Sequence, residues 1–391
     1  MPSLSLTQPP GKFLLSSDFY TLGLASAAAG HCGALDFIVK QGENANKVID
    51  PDDARRRPFT LLFEESPDYA FTPQHTFSVA EDGPARCILA SFGGAFAGVN
   101  NQRDTFATFT CDEQLVAWPD RFLIRYVWRN TSATPAVVWS NLHCWWYTNG
   151  FYSQATMVKQ SARRAAYDGG TFDCGVCVWK WNDFAFFHTV TDNAEYGRIT
   201  HWYRSALNPA PTSADGDFPQ ILAIFVQPPG SSTGDTDVLA KIDDYHKPDA
   251  PEVTVGARKT DTPGDDDADG FNESNGAYQF SCDLNRASFS LDVERRSTPA
   301  ISFYYPAFIL HGYTAPAAPL LRLNGSLLDG ETGTPHPGPS HQGASYNSAV
   351  LSGNRALVWT NSVITADSTF DIAPSFGTRK LIRVGCSNIR A

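Results

Sequence analysis

Nearly every readable stretch of this chain alternates apolar and polar residues with a period of two, and that alternation decides the fold class. "DRFLIRYVWRN" places Phe122, Ile124, Tyr126 and Trp128 at every second position. "VCVWKWNDFAFFHTV", "GRITHWYRS", "AYQFSCDL", "ASFSLDVE", "AFILHGY", "LLRLNGS" and "RALVWTN" read the same way, punctuated by Gly, Pro, Asn and Asp. Such runs are strands with two distinct faces. Helical periodicity is confined to "DFYTLGLASAAAG" near the start and "TDVLAKIDDYHKP" near residue 240. Many short strands with turn residues between them predict an all-β chain built of sandwiches.

A chain of 391 residues is long enough for more than one core. The segment "KPDAPEVTVGARKTDTPGDDDADGFNESNG" is polar, charged and rich in turn residues, which marks a boundary. The expected division is a large β domain over 1–250, a linker and acidic loop over 251–275, and a smaller β-sandwich over 276–391. A formal net charge of −11 excludes nucleic acid and opposes an anionic membrane surface as partner. No apolar run approaches the roughly 18 residues that span a bilayer. The opening "MPSLSLTQPPGKF" lacks the basic segment and apolar run of a signal peptide. Sequons at Asn130, Asn272 and Asn324 are compatible with secretion, and the expected location, set by the expected substrate, is extracellular or periplasmic.

The strands of "GALDFIVKQGENANKVIDPDDARRRPFTLLFEE" and "PDRFLIRYVWRNTSATPAVVW" resemble the antiparallel supersandwich of galactose-mutarotase-like proteins. The tail, "YYPAFILHGY" then "LLRLNGSLLDG", resembles the small β-sandwich modules appended to carbohydrate-active enzymes of that kind. The resemblance implies a supersandwich followed by a smaller sandwich. It implies a polysaccharide or oligosaccharide substrate, handled by a polysaccharide lyase or a glycoside hydrolase, and it transfers no catalytic residue.

"VVWSNLHCWWYTNG" carries the densest chemistry. On a strand, Val137, Trp139, Asn141, His143, Trp145 and Tyr147 share one face, while Trp146 falls on the other. Sugars pack their C–H faces on flat rings, and Trp and Tyr add a polar handle, so this face fits a glycan groove. A filled sandwich core with a satisfied His143 explains the same residues. In "GRITHWYRS", His201 and Tyr203 share a face and Trp202 and Arg204 share the other. β-Elimination on a uronic acid needs such a set. A cation or amide offsets the carboxylate, a His or Tyr takes the adjacent C–H proton, and a Tyr returns one to the leaving oxygen. Arg103, with Asn101 beside it in "GVNNQRDTF", offers another carboxylate-binding element, or simply a solvated polar loop. An edge-strand surface patch is the plainer account of His201 to Arg204.

Hydrolysis would instead need two carboxylates about 5 to 10 Å apart, for which Asp183, Asp192 and Glu195 are candidates. A third class, a non-catalytic glycan-binding protein, would use the same aromatics only to hold sugar. "CGVC", Cys174 to Cys177, has redox or zinc spacing without a second pair, which favours a disulfide or two buried thiols. "DDDADGFNE" places Asp265, Asp267, Asp269 and Glu273 at the first, third, fifth and ninth positions of a calcium loop. The twelfth is Gly276 rather than Glu, so the expected cofactor is a structural Ca2+ completed from elsewhere, against a solvated acidic turn. No phosphate loop, GxSxG elbow or HExxH helix appears.

Overall fold

A computed structural model describes residues 4–25 (except 18), 76–98, 109–130, 250–293 (except 263–264 and 266–267), 302–330 and 345–374. It also describes the strands 35–40, 60–64, 71–73, 136–146, 156–161, 164–168, 173–180, 187–192, 197–207 and 218–226. Every regular element among them is a β-strand.

Strands β1 (Ser5–Thr7), β2 (Lys12–Ser16), β3 (Tyr20–Ala25) and β4 (Leu35–Lys40) form a four-stranded antiparallel meander. A 13-stranded sheet follows. It comprises β5 (Thr60–Glu64), β6 (Phe71–Pro73), β7 (Ser78–Asp82), β8 (Cys87–Gly98), β9 (Phe109–Ala117), β10 (Arg121–Asn130) and β11 (Ala136–Trp146). The same sheet continues with β12 (Thr156–Ser161), β13 (Arg164–Asp168), β14 (Asp173–Lys180), β15 (Phe187–Asp192), β16 (Gly197–Leu207) and β17 (Phe218–Val226). Its order is β12-β13-β14-β17-β10-β9-β8-β6-β5-β11-β16-β15, with β7 also on β8.

The remaining strands pair only among themselves within the described residues. They are β18 (Glu252–Val255), β19 (Ala257–Arg258), β20 (Phe271–Asn272), β21 (Ala277–Ser281), β22 (Ala287–Leu291), β23 (Phe303–Tyr304) and β24 (Ala307–His311). After them come β25 (Leu320–Leu323), β26 (Ser326–Leu327), β27 (Asp329–Gly330), β28 (Ser345–Leu351), β29 (Arg355–Asn361), β30 (Val363–Ile364) and β31 (Ser368–Ala373). One sheet runs β18-β22-β31-β25-β26 and another β19-β21-β24-β29-β28-β27, with β20 on β21 and a separate β23-β30 pair. Phenylalanines from the two larger sheets meet between them. Phe289 of β22 stacks on Phe280 of β21 at 4.1 Å and on Phe370 of β31 at 5.3 Å. Phe308 of β24 closes the group 4.9 Å from Phe289. All four are almost fully buried, each worth about 1.5–3 kcal/mol of transfer free energy.

Tyr20–Ala25, within one of the two segments with helical spacing, is strand β3. Tyr20, Leu22 and Leu24 are buried while Thr21 is only half-buried, and Leu22 and Leu24 pair with Leu15 and Phe13 of β2. An apolar row that completes a neighbouring strand's row outweighs local helix spacing. The other such segment lies outside the described residues.

The halves of the chain meet at the tight turn Trp118–Arg121, which joins β9 to β10. Pro119 and Asp120 occupy its centre, and the Trp118 amide donates to the Arg121 carbonyl at 2.8 Å. Asp120 and Arg121 are 0% and 4% exposed. Arg121 Nη1 donates to both Asp120 oxygens, at 3.0 and 2.9 Å, and to the Tyr305 carbonyl at 3.2 Å. Its Nη2 donates to the Gly276 carbonyl at 2.7 Å. Trp359 Nε1 donates to Asp120 Oδ1 at 2.9 Å, and Trp118 Nε1 to the Asn275 carbonyl at 2.8 Å. From the first sheet, the Tyr20 hydroxyl donates to the Trp118 carbonyl at 2.6 Å. Gly276 must be glycine, since its φ is +66° and a Cβ there would lie 3.2 Å from Leu123.

Two layers thus cover opposite faces of the long sheet at this end. Tyr20 packs edge-on against Phe122 at 5.5 Å, and the turn at Gly276 sits against Leu123. Removing one member of a buried ion pair leaves the other uncompensated. Arg121→Ala is expected to cost about 3–5 kcal/mol in urea unfolding. Removing Asp120 and Arg121 together should cost less than the two single losses added, because neither charge is then stranded.

Candidate functional site

Strands β5, β11, β16 and β15 are consecutive at one end of the long sheet, and their register determines which residues share a face. Asn141 pairs with Glu64 on one side and Trp202 on the other, and Trp202 pairs with Phe187. His143 pairs with Leu62 and Thr200. Trp139 pairs with Arg204, and Trp145 with Thr60 and Arg198. Directly paired residues fall on one face about 4.5–5.5 Å apart at Cα. One face therefore brings together Trp139, Asn141, His143, Trp145, Trp202, Arg204, Arg198 and Glu64.

His201 pairs with Leu142, Tyr203 with Ser140, and Trp146 with Gly197, so these fall on the opposite face. The two histidine-containing sets of the sequence occupy opposite sides of one sheet. Tyr147, Arg103 and Asn101 lie outside the described residues, as do Asp183 and Glu195. Asp192 closes the β15–β16 hairpin opposite Gly197. Cys174 and Cys177, three positions apart on β14, fall on opposite faces. Glu64 and Arg198 escaped the sequence reading. "LLFEE" shows that Leu62 and Glu64 share a face, but only strand pairing reveals that His143 and Asn141 lie beside them.

Register also tells the two faces apart. Phe122, packed under the first sheet, shares its face with Ile124 and Tyr126, and Tyr126 pairs with Glu113. Past the β8 bulge this face continues through Gly94, Gly98, Phe71, Phe63 and Leu142 to His201. The bulge is fixed by the Asp112 carboxylate, which accepts from the Gly93 amide at 2.8 Å where φ is +66°. His201 and Tyr203 thus belong to the face that the four-stranded meander covers at its Phe122 end. The Asn141–His143 positions belong to the face that meets the Gly276 turn at Leu123.

The acidic loop is held by its own backbone. Asp265 Oδ2 accepts from the Gly270 amide at 3.0 Å, and Asp269 Oδ1 from the Phe271 amide at 2.6 Å. Glu273 is 0% exposed, and Asp267 lies outside the described residues. Among the described residues no three His, Cys, Asp or Glu side chains stand together as a metal site. Asn272 is fully buried, its side chain engaged by Thr262 and Asn275, which removes that sequon as a glycan acceptor. Asn324 sits in the exposed β25–β26 turn.

No family model matches the sequence, and no curated protein does. Among solved structures, Slr1438 from Synechocystis sp. PCC 6803 is similar at 11% identity and a TM-score of 0.34, over 56% of this chain and 97% of that one. A heparan sulfate lyase HepC mutant from Pedobacter heparinus is similar at 8% identity and a TM-score of 0.34, over 66% of this chain and 39% of that one. A putative aldose 1-epimerase from Escherichia coli K12 aligns at 8% identity and a TM-score of 0.26, over 58% and 99%. The match spans less than half of the lyase. The fold assignment rests on the strand pairing itself.

Two titratable groups of the described part, Glu113 and His311, are shifted in opposite directions. Glu113 lies in a polar row, Ser91–Glu113–Tyr126–Gln220–Lys180, where the face under the meander turns from apolar to polar. It is 3% exposed, and burial pushes its carboxyl well above the ordinary 4.5. On β24, half-buried His311 lies 2.7 Å from Gln279 Oε1; burial first, then Lys259 and Arg355, hold it down at about 4. The signs are opposite. Glu113 binds more protons folded than unfolded, so its share of stability is present at low pH and is lost as pH rises above the ordinary Glu range. His311 binds fewer, so its share is present above about 6.5 and is lost as pH falls toward 4. Urea unfolding across pH should show Glu113→Gln flattening the alkaline limb and His311→Gln the acid limb.

Proposed function

We propose that this protein is a carbohydrate-active enzyme that cleaves a polysaccharide by β-elimination at a uronic acid. The observation that supports it is the single sheet face on which register gathers His143, Asn141, Arg204, Arg198 and three tryptophan positions. Two arginines on that face give an anionic sugar a local partner within a chain of net charge −11. Arg204 and Asn141 offset the substrate carboxylate, which acidifies the neighbouring C–H. His143 removes that proton, the electron pair forms the ring double bond, and the glycosidic oxygen leaves with a proton donated by Tyr147. Trp139, Trp145 and Trp202 supply flat surfaces for neighbouring sugars. A glycan substrate accords with the expected extracellular or periplasmic location. Among the described residues no helix is long and apolar enough to cross a membrane.

A hydrolase is the second reading, favoured by one observation: Glu64 stands beside Asn141 in register on the same face. It would supply one of the two carboxylates that glycoside hydrolysis requires.

A panel of uronic-acid and neutral polysaccharides separates these readings. Near-ultraviolet absorbance rising with cleavage is expected, and His143→Ala should lower that rate by about 10²–10⁴-fold. Reducing ends without absorbance, abolished by Glu64→Gln, would replace elimination with hydrolysis. Retained binding with neither product would reduce the face to a glycan-holding surface.

A further inference from the structure

The C-terminal sandwich carries a half-buried polar row that the proposed reaction does not use. In the sheet containing β21, β24, β29 and β28, Trp359 and Asn347 lie on the face turned away from the phenylalanine core, where they donate to Asp120 and to the Pro84 carbonyl. Gln279, Ile309 and Leu357 form the next row of that face and are almost fully buried. The row beyond, Ser281–His311–Arg355–Leu351, is half-buried throughout and lies about 13 Å from Trp359, four residues along β29. Lys259 flanks it, its amide donating to the Gln279 carbonyl at 2.9 Å. Gln279 donates its side-chain amide to the Ala277 carbonyl at 3.4 Å and so presents Oε1 to His311, which donates from Nε2 across 2.7 Å. Among the described residues nothing meets His311 Nδ1. Arg355 Nε donates to the Ser352 carbonyl at 3.1 Å, and among the described residues neither of its Nη atoms has a partner. Lys259 pairs with Asp261, whose side chain is 77% exposed, and an ion pair so open to water is weak and readily exchanged.

We infer that Arg355, Lys259 and His311 form a binding site for an oxyanion, the carboxylate or sulfate of an acidic sugar chain. The sugar as ligand rests on the glycan-cleaving reading; the oxyanion site rests on the row itself. Arginine takes a carboxylate or sulfate through two parallel N–H bonds, and lysine adds a point charge. The half-buried Ser281 adds a hydroxyl beside them. Burial first, then Lys259 and Arg355, hold the His311 imidazole down at about 4, with Asp261 opposing. A bound anion offsets the two cations, so binding is accompanied by proton uptake at His311 and tightens as pH falls.

Nuclear magnetic resonance of the intact protein with isotope-labelled histidine tests this, the His311 signal being the one lost in His311→Gln. The probes are an oligogalacturonide, a neutral oligosaccharide of equal length and inorganic sulfate. The oligogalacturonide is expected to shift the His311 signal saturably and to raise its titration midpoint, and the neutral sugar to do neither. Arg355→Ala and Lys259→Ala should each weaken that binding about tenfold, with circular dichroism checking that the strands are retained. A His311 signal that the oligogalacturonide leaves unmoved in the wild-type protein overturns the site, even if a variant fails to fold. So does an equal response to the neutral sugar, or binding unchanged by both substitutions. A response to sulfate alone overturns the acidic sugar as ligand. His143→Ala, which should slow cleavage, is expected to keep the His311 response, so loss of the enzymatic reading and loss of this site are distinguishable.

Discussion

The buried pair Asp120–Arg121 sits where three layers of this protein meet. It occupies a turn, so its charges are presented at the end of the β9–β10 hairpin rather than along a strand. Its hydrogen bonds reach several elements at once. The guanidinium reaches the Gly276 and Tyr305 carbonyls, and the carboxylate takes the Trp359 indole proton as well as Arg121. A buried ion pair contributes little net stability against an apolar substitute, but once built it penalises any arrangement that leaves a charge alone. The contribution of this pair is therefore to fix how the C-terminal sandwich seats on the long sheet. Trp118 reinforces it, with Arg86 and Arg121 at 5.4 and 5.7 Å from its ring.

Covering both faces of the sheet at that end has a consequence for chemistry. The rows Ala117–Phe122 and Leu115–Ile124 are apolar and almost completely buried, which suits a layer packed on both sides. Polar positions on the face under the meander begin one row further from the turn, at Glu113–Tyr126. The histidines of the long sheet's described strands, His143, His188 and His201, lie on β11, β15 and β16, away from the β9–β10 turn along the sheet order. The turn fixed by packing belongs to strands in the middle of the sheet order, whereas β11, β16 and β15 lie at one edge.

The all-β architecture was legible because alternation is a local signal, written into each strand by the requirement that one row of side chains be apolar. Val358 and Trp359 of "RALVWTN" and Phe289 of "ASFSLDVE" are buried where their runs predict strands. Local spacing misled at Tyr20–Ala25, because "LGLASAAAG" carries good helix formers while the row Tyr20, Leu22, Leu24 completes a sheet that only the distant partner strand defines. The face shared by Asn141 and His143 was legible for the same local reason, being two positions apart on one strand. The relation of that face to His201 and Tyr203 was not, since it depends on pairing between segments some sixty residues apart in sequence. Nor could the position of Glu64 be recognised, because it acquires meaning only from Asn141 opposite it.

Register is what divides the work of this sheet. In β11 and β16, His143 and His201 are both odd-numbered, yet each pairs with an even-numbered residue, Thr200 and Leu142. A slip of one position would leave both arginines on one face and place Tyr203 and both histidines together on the other. The observed pairing separates the two histidines instead. One face holds His143 with amide, guanidinium and indole positions, the set on which the proposed function rests. The other holds the positions of His201, Tyr203 and Trp146. Strand period thus sorts the polar and aromatic positions of two paired strands into separate sets.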